Sequence, residues 1–371
     1  MIKQRVFLGA SAIDNLLPVL QEYAPRHVFL VRGKNSYNKS GAKSIIDSIL
    51  QVLNCSVTEF YDFEENPKIE DLEKGLLLLR TSQPSVIVAI GGGSVLDMSK
   101  LLRFFYSYSG EMTGKNFKQE CALLPLIALP TTAGTGCEAT HFAVLYKDRV
   151  KYSVEHDSIL PNVAIVYPPF TYNNSKYLTA CTGFDALAQG IEAYWNVNAT
   201  TESDEYAEKA IKLLWPNLPL AVNSPTNEIR DKVSEGAYWA GCAINITKTT
   251  APHAFSYPFT AYYGYPHGHA VALTFPFFFN YCSKSNNDEV KTKIGSLCDM
   301  MKVYDGFSVY SYIKGYINAL GLLKKKHDKF DIEVILRSVN LDRLSNYPVN
   351  LDNRFYKAFG DFWDFEFQRN I

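Results

Sequence analysis

The chain has 371 residues, of which 47% are hydrophobic and 20% are charged, with 37 Lys+Arg against 38 Asp+Glu. This length suggests two domains with buried cores, and the composition excludes disorder as the main state. A formal net charge of −1 gives no general reason to bind nucleic acid or an anionic membrane surface, so any anionic substrate must be caught by a local site.

The cysteines and the apolar stretches predict a cytoplasmic protein. Seven scattered cysteines without a C-x-x-C pair are typical of free thiols in a reducing compartment: Cys55, Cys121, Cys137, Cys181, Cys242, Cys282 and Cys298. The first residues lack the apolar core of a secretory signal. The longest apolar stretch, 270–282, is too short to cross a bilayer.

Strand and helix patterns alternate through the first half of the chain. Brief apolar runs predict strands at 27–31, 85–90, 124–129 and 162–166, and helical spacing is found over 39–53 and 69–81. Continuous apolar strands separated by helices indicate a parallel sheet covered on both faces. From about Ser175 only helical patterns follow, at 207–215, 229–244, 288–301, 308–320 and 331–339. We therefore expect an α/β domain over 1–174 and a helical domain over 175–371.

A triple-glycine turn follows the predicted strand 85–90 and consists of Gly91, Gly92, Gly93 and Ser94, with Asp97 in the helical pattern behind it. Glycines let the backbone approach a bulky anion, and the first turn of a helix offers unpaired N–H groups to a pyrophosphate. A tight strand–helix turn without a ligand is the alternative. The G-x-G-x-x-G fingerprint is absent, so an ordinary Rossmann domain is not supported.

A second loop, after the predicted strand 124–129, clusters the hydroxyls of Thr131, Thr132 and Thr135 with small residues. Such a loop can line a second wall of a nucleotide cleft. Thr135 and Glu138 also have the [ST]-x-x-[DE] spacing of a capped helix start, and the two interpretations are compatible.

Candidate metal ligands lie in the second half. Asp185 and Gln189 are four residues apart, so a helix places both on one face, although such a pair is usually a cap or a surface contact. His253, His267 and His269 share one aromatic segment with few charges. A buried histidine is often a satisfied core residue, but imidazole nitrogen together with carboxylate oxygen suits Zn²⁺ or Fe²⁺.

In this order, the four stretches resemble the iron-containing (group III) alcohol dehydrogenase family over nearly the whole chain. The resemblance implies a Rossmann-like dinucleotide-binding domain at 1–174 and a helical metal and substrate domain at 175–371, as in the dehydroquinate synthase-like fold, with catalysis in the cleft between them. It assigns the triple-glycine turn, Asp97 and the threonine loop to the NAD(P)H cofactor, and it places Lys151 near the nicotinamide ribose.

The family binds its divalent metal through an Asp, a His four residues later and two further histidines. Asp185, His253 and His267 match three of these positions, whereas Gln189 stands where the family usually has histidine. Three interpretations follow: Gln189 coordinates through its oxygen, the metal keeps three protein ligands plus water, or the metal is lost. We favour a retained, loosely held Fe²⁺ or Zn²⁺, because an amide oxygen is a neutral but weaker donor than imidazole.

Within the family, segments 151–153, 192–198 and 254–260 look most like the phosphonoacetaldehyde reductase branch. This resemblance implies reduction of phosphonoacetaldehyde to 2-hydroxyethylphosphonate in phosphonate biosynthesis. A phosphonate dianion needs cations or N–H donors. Lys248 is the best-placed candidate, with Asn196 and Asn198 as further substrate residues, although Lys248 can also be a solvated charge at a helix end. Tyr257 or His269 is expected to relay the proton to the alkoxide, which the metal held by His253 and His267 stabilises.

Cofactor choice depends on Gly33, which follows the predicted strand 27–31. An acidic residue there would bond the ribose 2′-hydroxyl and repel a 2′-phosphate. Gly33 followed by Lys34 and Ser36 leaves room and adds donors, so we predict tolerance of NADPH or a preference for it over NADH.

Other functions stay open at this point. The chain can reduce another small aldehyde of the lactaldehyde type, run the chemistry of the related dehydroquinate synthases or glycerol-1-phosphate dehydrogenases, or bind nucleotides without metal or turnover. The closely spaced histidines of Pro266-His-Gly268 fit the alcohol dehydrogenases best. A homodimer is compatible with the sequence, which does not fix the oligomeric state.

Overall fold

A computed structural model describes residues 4–108, 110–113, 117, 123–148, 150–303, 308–324 and 330–368, so Cys121 lies outside the described residues. The chain divides into two compact units, Met1–Asn174 and Ser175–Ile371.

The first unit is built on a parallel sheet. Its six strands are hydrogen-bonded in the order β1-β8-β5-β4-β2-β3, and β6 and β7 form a separate antiparallel hairpin. In chain order the strands are β1 Arg5–Leu8, β2 His27–Arg32, β3 Ser56–Phe60, β4 Val86–Gly91, β5 Leu126–Pro130, β6 Phe142–Lys147, β7 Val150–Glu155 and β8 Val163–Val166. Gly91 pairs with Pro130, so β4 and β5 end in register and their following loops start side by side.

Helices cover both faces of this sheet. They are α1 Leu16–Tyr23, α2 Ser36–Lys39, α3 Ala42–Leu53, α4 Ile69–Ser82 and α5 Gly93–Phe105. Alternate residues of β2 point to opposite faces, so Phe29 joins the core under α4 and α5, whereas Val28 joins the core under α1 and α3. The central strands are therefore apolar on both sides, which is why they appear as continuous hydrophobic runs.

The second unit is helical. Its helices are α6 Lys176–Trp195, α7 Thr201–Asn223, α8 Asn227–Thr247, α9 Ala251–Tyr263, α10 His267–Ser283, α11 Asp288–Met301, α12 Val309–Ala319, α13 Ile332–Arg337, α14 Leu341–Leu344 and α15 Asn353–Trp363. Helix α6 packs against α7, α8 and α10 and is buried along most of its length. It is the central element of the unit.

The structure confirms the predicted fold class and corrects several elements. The expected helix 39–53 is interrupted at Gly41, whose φ of +80° ends the short α2 before α3 begins. Strand β3 was not predicted because it lies at the sheet edge and is mostly exposed, without an apolar run. The internal proline Pro216 obscured the full extent of α7, and α9, which contains Pro258, was not predicted.

Among the described residues, the longest and most apolar helices still fall short of what a bilayer crossing requires.

Candidate functional site

Three side chains of the second unit converge on one point. Asp185 lies in α6, His253 in the first turn of α9, and His267 at the start of α10. Their potential ligand atoms all lie within 4.8 Å of one another. The Oδ1 atom of Asp185 is 3.1 Å from Nε2 of His253 and 3.7 Å from Nε2 of His267. Two imidazoles and one carboxylate therefore present their donor atoms to a common centre, as a divalent transition metal requires.

Local sequence explains how these helices meet. Proline occurs near the start of α9 at Pro252 and just before α10 at Pro266, positions where its fixed φ suits a helix beginning. A Cβ atom added to Gly268 would collide with the backbone carbonyl of Cys181 and come within 3.0 Å of Cβ of Asp185. Glycine at this position thus allows the first turn of α10 to touch α6, which brings His267 to Asp185.

A fourth residue, Glu192, orients His253. One carboxylate oxygen of the fully buried Glu192 accepts a hydrogen bond from Nδ1 of His253, so that Nε2 faces Asp185. The other oxygen accepts hydrogen bonds from the backbone N–H of Thr250 at 2.6 Å and from its hydroxyl at 2.8 Å. Burial alone would lower the pKa of His253, but the two carboxylates outweigh it and raise the pKa to about 10.

Gln189 follows Asp185 by one turn of α6 and is buried. Its side-chain oxygen, Oε1, has no hydrogen-bond partner among the described residues. A buried amide oxygen without a partner is costly, and a cation supplies the missing interaction. The residues present therefore fit a divalent metal bound by two imidazoles, one carboxylate and one amide oxygen.

The two candidates for proton transfer have different surroundings. The ring of Tyr257 is stacked on the ring of His267, with centroids 5.7 Å apart and an interplanar angle of 16°. His269 is buried, its Nδ1 lies 2.8 Å from the hydroxyl of Tyr177, and its ring packs edge-on against Tyr265. The structure thus brings Tyr257 next to a candidate metal ligand, whereas His269 lies outside the three-residue cluster found among the described residues.

The predicted substrate residues surround the junction between α8 and α9. Lys248 is the residue directly after α8, and it is partly buried. The amide nitrogen of Asn196 donates to the carbonyl oxygens of Thr247 and Lys248, and its amide oxygen accepts from the backbone N–H of Asn198. The amide nitrogen of Asn198 donates to Asn346. Both asparagines thus hold backbone or other side chains, and their contact with a substrate stays a prediction.

The two predicted cofactor loops lie side by side in the first unit. Gly91 ends β4, Gly92 is the residue before α5, and Gly93 begins this helix. A Cβ atom at Gly93 would lie 2.7 Å from the Thr135 side chain, and one at Gly92 would lie 3.6 Å from Thr132.

Hydrogen bonds connect some polar groups of the two loops and leave one hydroxyl without a partner among the described residues. The N–H of Thr131 donates to the carbonyl of Gly91, and Ser94 accepts from the N–H of Asn66. The buried hydroxyl of Thr131 has no partner within the described part of the chain.

Two other predicted cofactor residues lie behind or beside these loops. Asp97 is buried in α5 and accepts a hydrogen bond from the Cys137 thiol, and burial raises its pKa while Lys100 opposes that shift. Lys151 lies in β7 of the hairpin, opposite Tyr146. The carboxylate of Asp97 therefore makes a hydrogen bond inside the protein, and its contact with a cofactor stays a prediction.

Gly33 directly follows β2, and the turn after it is tight. A Cβ atom at Gly33 would collide with the hydroxyl of Ser36. Lys34 forms an exposed ion pair of 2.8 Å with Asp62. The guanidinium of Arg32 lies 3.7 Å from the ring centroid of Tyr61. The region thus holds cationic groups, as expected, but also the carboxylates of Asp62 and Glu59, which were not predicted there.

Comparison with known proteins identifies this arrangement. Residues 3–168 match the model of the iron-containing alcohol dehydrogenases, and residues 179–343 match the model of the C-terminal domain of the same family. The chain is 30% identical to long-chain-alcohol dehydrogenase 1 of Geobacillus thermodenitrificans, over 85% of this chain and 82% of the relative. The chain belongs to the iron-containing alcohol dehydrogenase family. It is a metal-dependent alcohol dehydrogenase or aldehyde reductase of the group III type that works with a nicotinamide cofactor.

Two further proteins similar to this dehydrogenase are named as a phosphonoacetaldehyde reductase and a sulfoacetaldehyde reductase. Phosphonoacetaldehyde reductase of Streptomyces viridochromogenes is 34% identical over 53% of each chain. The structure of sulfoacetaldehyde reductase from Bifidobacterium kashiwanohense in complex with NAD⁺ has a TM-score of 0.85 and 28% identity, and the match covers 98% of this chain and 97% of that one.

Sequence reasoning did not assign roles to Glu192 and Thr250. Their type and spacing carry no metal signature, and only the packing of α6 against the start of α9 brings them to His253. The one available signal was spacing: Glu192 follows the candidate ligand Asp185 by seven residues. Seven residues are about two helical turns, so the two side chains lie on the same face of a helix.

Proposed function

We propose that this dehydrogenase reduces phosphonoacetaldehyde to 2-hydroxyethylphosphonate with NADPH or NADH. The observation that carries the proposal is the position of Lys248 relative to Asp185, His253 and His267, which we call the metal-binding cluster. Lys248 precedes His253 by five residues, and Thr250 between them is hydrogen-bonded to the same Glu192 that holds His253. An ammonium at this place can pair with the anionic end of a two-carbon aldehyde while the carbonyl lies at the cluster. The two relatives named for acidic aldehydes support the same substrate class.

Asp185, Gln189, His253 and His267 would hold the metal, which supplies Lewis acidity that polarises a carbonyl oxygen. Glu192 keeps Nδ1 of His253 protonated and its Nε2 directed at the centre. Hydrogen bonds of this kind fix both the tautomer and the ring orientation of a ligating histidine. A reduced nicotinamide would supply the hydride to the carbonyl carbon, and the oxygen would take up a proton.

Tyr257 is the better candidate for delivering that proton. Its ring lies on that of His267, and the residue is partly exposed, so we assign the proton delivery to Tyr257. His269 is buried and engaged with Tyr177, which suits a role in positioning the first turn of α10.

The first unit is proposed to bind the cofactor and the second to bind metal and substrate. Gly91 to Ser94 and the threonine loop offer N–H and hydroxyl groups to the pyrophosphate, and Lys151 is assigned to the nicotinamide ribose. Gly33 stands where an acidic residue would repel a ribose 2′-phosphate, and Lys34 follows it, which supports NADPH. We further propose a cytoplasmic location, with a homodimer as the assembly to test.

An uncharged aldehyde is the second candidate substrate. The long-chain-alcohol dehydrogenase of Geobacillus thermodenitrificans shares 30% identity with this chain, and its name specifies a long-chain alcohol. Such a substrate would use the metal-binding cluster without Lys248.

A panel of aldehydes tests the proposal. With NADPH, kcat/KM for phosphonoacetaldehyde should exceed that for propanal by about 100-fold or more, since a well-placed charged hydrogen bond contributes roughly 1.5–3 kcal/mol and orientation adds to it. A chelator should abolish turnover, and added Fe²⁺ or Zn²⁺ should restore it. Equal rates for the two aldehydes would refute the substrate, chelator-resistant turnover would refute the metal, and a strong preference for NADH would refute the predicted tolerance of NADPH.

A further inference from the structure

Lys248 has a backbone conformation that is nearly confined to glycine. Its φ is +64° and its ψ is −177°. Other non-glycine residues that follow helices with positive φ, namely Ala24, Asn54, Gln83 and Lys302, have ψ between 41° and 58° in the ordinary left-handed region. The conformation of Lys248 lies outside that region, where a Cβ atom is strongly disfavoured. Glycine would relieve the strain, and yet the chain has lysine here.

The surrounding side chains hold this strained junction in place. The amide nitrogen of the buried Asn196 lies 3.1 Å from the carbonyl oxygen of Thr247 and 3.2 Å from that of Lys248. The hydroxyl of Thr247 also donates to the Lys248 carbonyl, at 2.8 Å. The amide nitrogen of the buried Asn346 donates to the carbonyl of Thr249 at 3.0 Å. Three consecutive carbonyls are thus fixed, so the backbone cannot relax at Lys248 without breaking several hydrogen bonds.

The junction is connected to the metal-binding cluster by a buried carboxylate. Thr250, two residues after Lys248, donates its N–H and its hydroxyl to one oxygen of Glu192. The other oxygen of Glu192 accepts from His253. A fixed backbone at Lys248 and a fixed imidazole at His253 therefore depend on the same group, and the distance between them is preset.

We propose that the backbone strain at Lys248 is a specificity device: it fixes the direction of the lysine side chain, so that its ammonium binds the tetrahedral anionic group of an aldehyde held at Asp185, His253 and His267. This inference rests on the proposed function, because it assigns the lysine to that substrate. Strain of this kind persists where the surrounding structure imposes it and is typical of ligand-binding sites. A fixed cation raises selectivity because less conformational freedom is lost when the substrate binds. Phosphonate and sulfonate share this tetrahedral anionic chemistry.

The strain can be tested without any substrate. Lys248→Gly and Lys248→Ala both remove the ammonium, but only glycine accepts the observed φ and ψ without strain. We expect Lys248→Gly to melt several degrees above Lys248→Ala in the metal-loaded enzyme. Lys284, the residue after α10, provides the matched control, because its φ of −94° suits either residue. There the glycine variant should melt at or below the alanine variant, and the same order at both positions would overturn the inference.

The specificity role is tested by ratios of kcat/KM for phosphonoacetaldehyde and for sulfoacetaldehyde, each over propanal. Lys248→Gly should lower at least one ratio by about 100-fold, whereas Lys284→Gly should leave both unchanged. Asn196→Ala, which releases the carbonyls, should lower the same ratio about tenfold while metal content stays at the wild-type level. Unchanged ratios in Lys248→Gly would overturn the inference that Lys248 determines specificity.

Binding of methylphosphonate and methanesulfonate, measured by calorimetry, separates this inference from the proposed function. If the wild type binds methanesulfonate and favours sulfoacetaldehyde, the proposed substrate fails while the device stands. Binding of either anion must weaken at least tenfold in Lys248→Gly. Loss of binding only in Asn196→Ala, with Lys248→Gly unaffected, would contradict the assignment of the ammonium.

Discussion

At the scale of single residues, Gln189 is the proposed fourth ligand, and its donor type is expected to set how tightly the metal is held. The position usually carries histidine in the family that the sequence resembles, and here it offers a buried amide oxygen without a partner among the described residues. An amide oxygen is a weaker ligand for borderline metals than imidazole nitrogen. If Gln189 is the fourth ligand, the two imidazoles and the carboxylate of Asp185, His253 and His267 are the dominant donors.

Replacing Gln189 should therefore change metal affinity in both directions. Gln189→Leu should weaken binding at least about tenfold, comparable to the loss of a well-placed ligand-supporting group. Gln189→His should strengthen it, because it restores an imidazole donor. Competition of each apo variant with a chelator for Zn²⁺ measures the change. If Gln189→Leu bound Zn²⁺ as tightly as the wild type, Gln189 would lie outside the coordination sphere.

Glu192 should matter for the metal although it does not touch it. Glu192→Gln can no longer accept hydrogen bonds from both Thr250 and His253 in the same way, so the ring of His253 loses its fixed tautomer. We expect metal affinity to fall about 10- to 100-fold, as for other supporting carboxylates. Glu228→Gln, in an exposed ion pair on α8, is the control and should leave affinity unchanged. Equal affinities in both variants would assign Glu192 a purely structural role.

At the scale of secondary-structure elements, adding a single methyl group to the turn between β4 and α5 tests whether this turn binds the cofactor. A Cβ atom at Gly92 would meet Thr132 only at 3.6 Å, an ordinary contact, and the φ of −75° there suits alanine. Gly92→Ala should thus fold with an unchanged melting temperature. If a pyrophosphate approaches this backbone, the added methyl group should raise the Kd for NADPH at least tenfold.

Gly295 in α11 provides the control for that experiment. A Cβ atom there meets nothing within 4 Å, so Gly295→Ala should leave the Kd for NADPH unchanged. An unaltered Kd in Gly92→Ala would mean that the turn is a tight connection without a ligand, the alternative that the sequence left open.

The sequence predicted those strands and helices whose burial produces a simple pattern of apolar residues. The central strands β2, β4 and β5 are apolar on both faces, and they appear in the sequence as continuous runs. Helices α9 and α10 were not predicted, since the prolines Pro258 and Pro276 interrupt the expected pattern and aromatic residues surround them. The candidate ligands Asp185, His253 and His267 were singled out by residue type and then matched to a metal site by resemblance, whereas Glu192 needed the three-dimensional packing of α6 and α9.

At the scale of the whole molecule, charge balance makes local sites responsible for recognition. A net charge of −1 provides no field that would attract a phosphonate or a dinucleotide. Selectivity for an anionic aldehyde must then come from short-range contacts such as those available to Lys248. Such contacts respond less to salt than long-range steering does, because screening acts most on separated charges in solvent.

The free energy of unfolding should depend on pH because of Glu138, a buried acid in the first unit. Burial raises the pKa of Glu138 from 4.5 to about 7, with the charge of Lys100 opposing the shift. Between these values the folded chain binds more protons than the unfolded chain, so the free energy of unfolding falls as pH rises through this window, by up to about 3 kcal/mol. Glu138→Gln, which stays neutral, should lack that component. Melting temperatures at pH 5 and 7.5 should therefore differ by several degrees more in the wild type than in the variant, whereas parallel curves would show that Glu138 is already ionised in the fold.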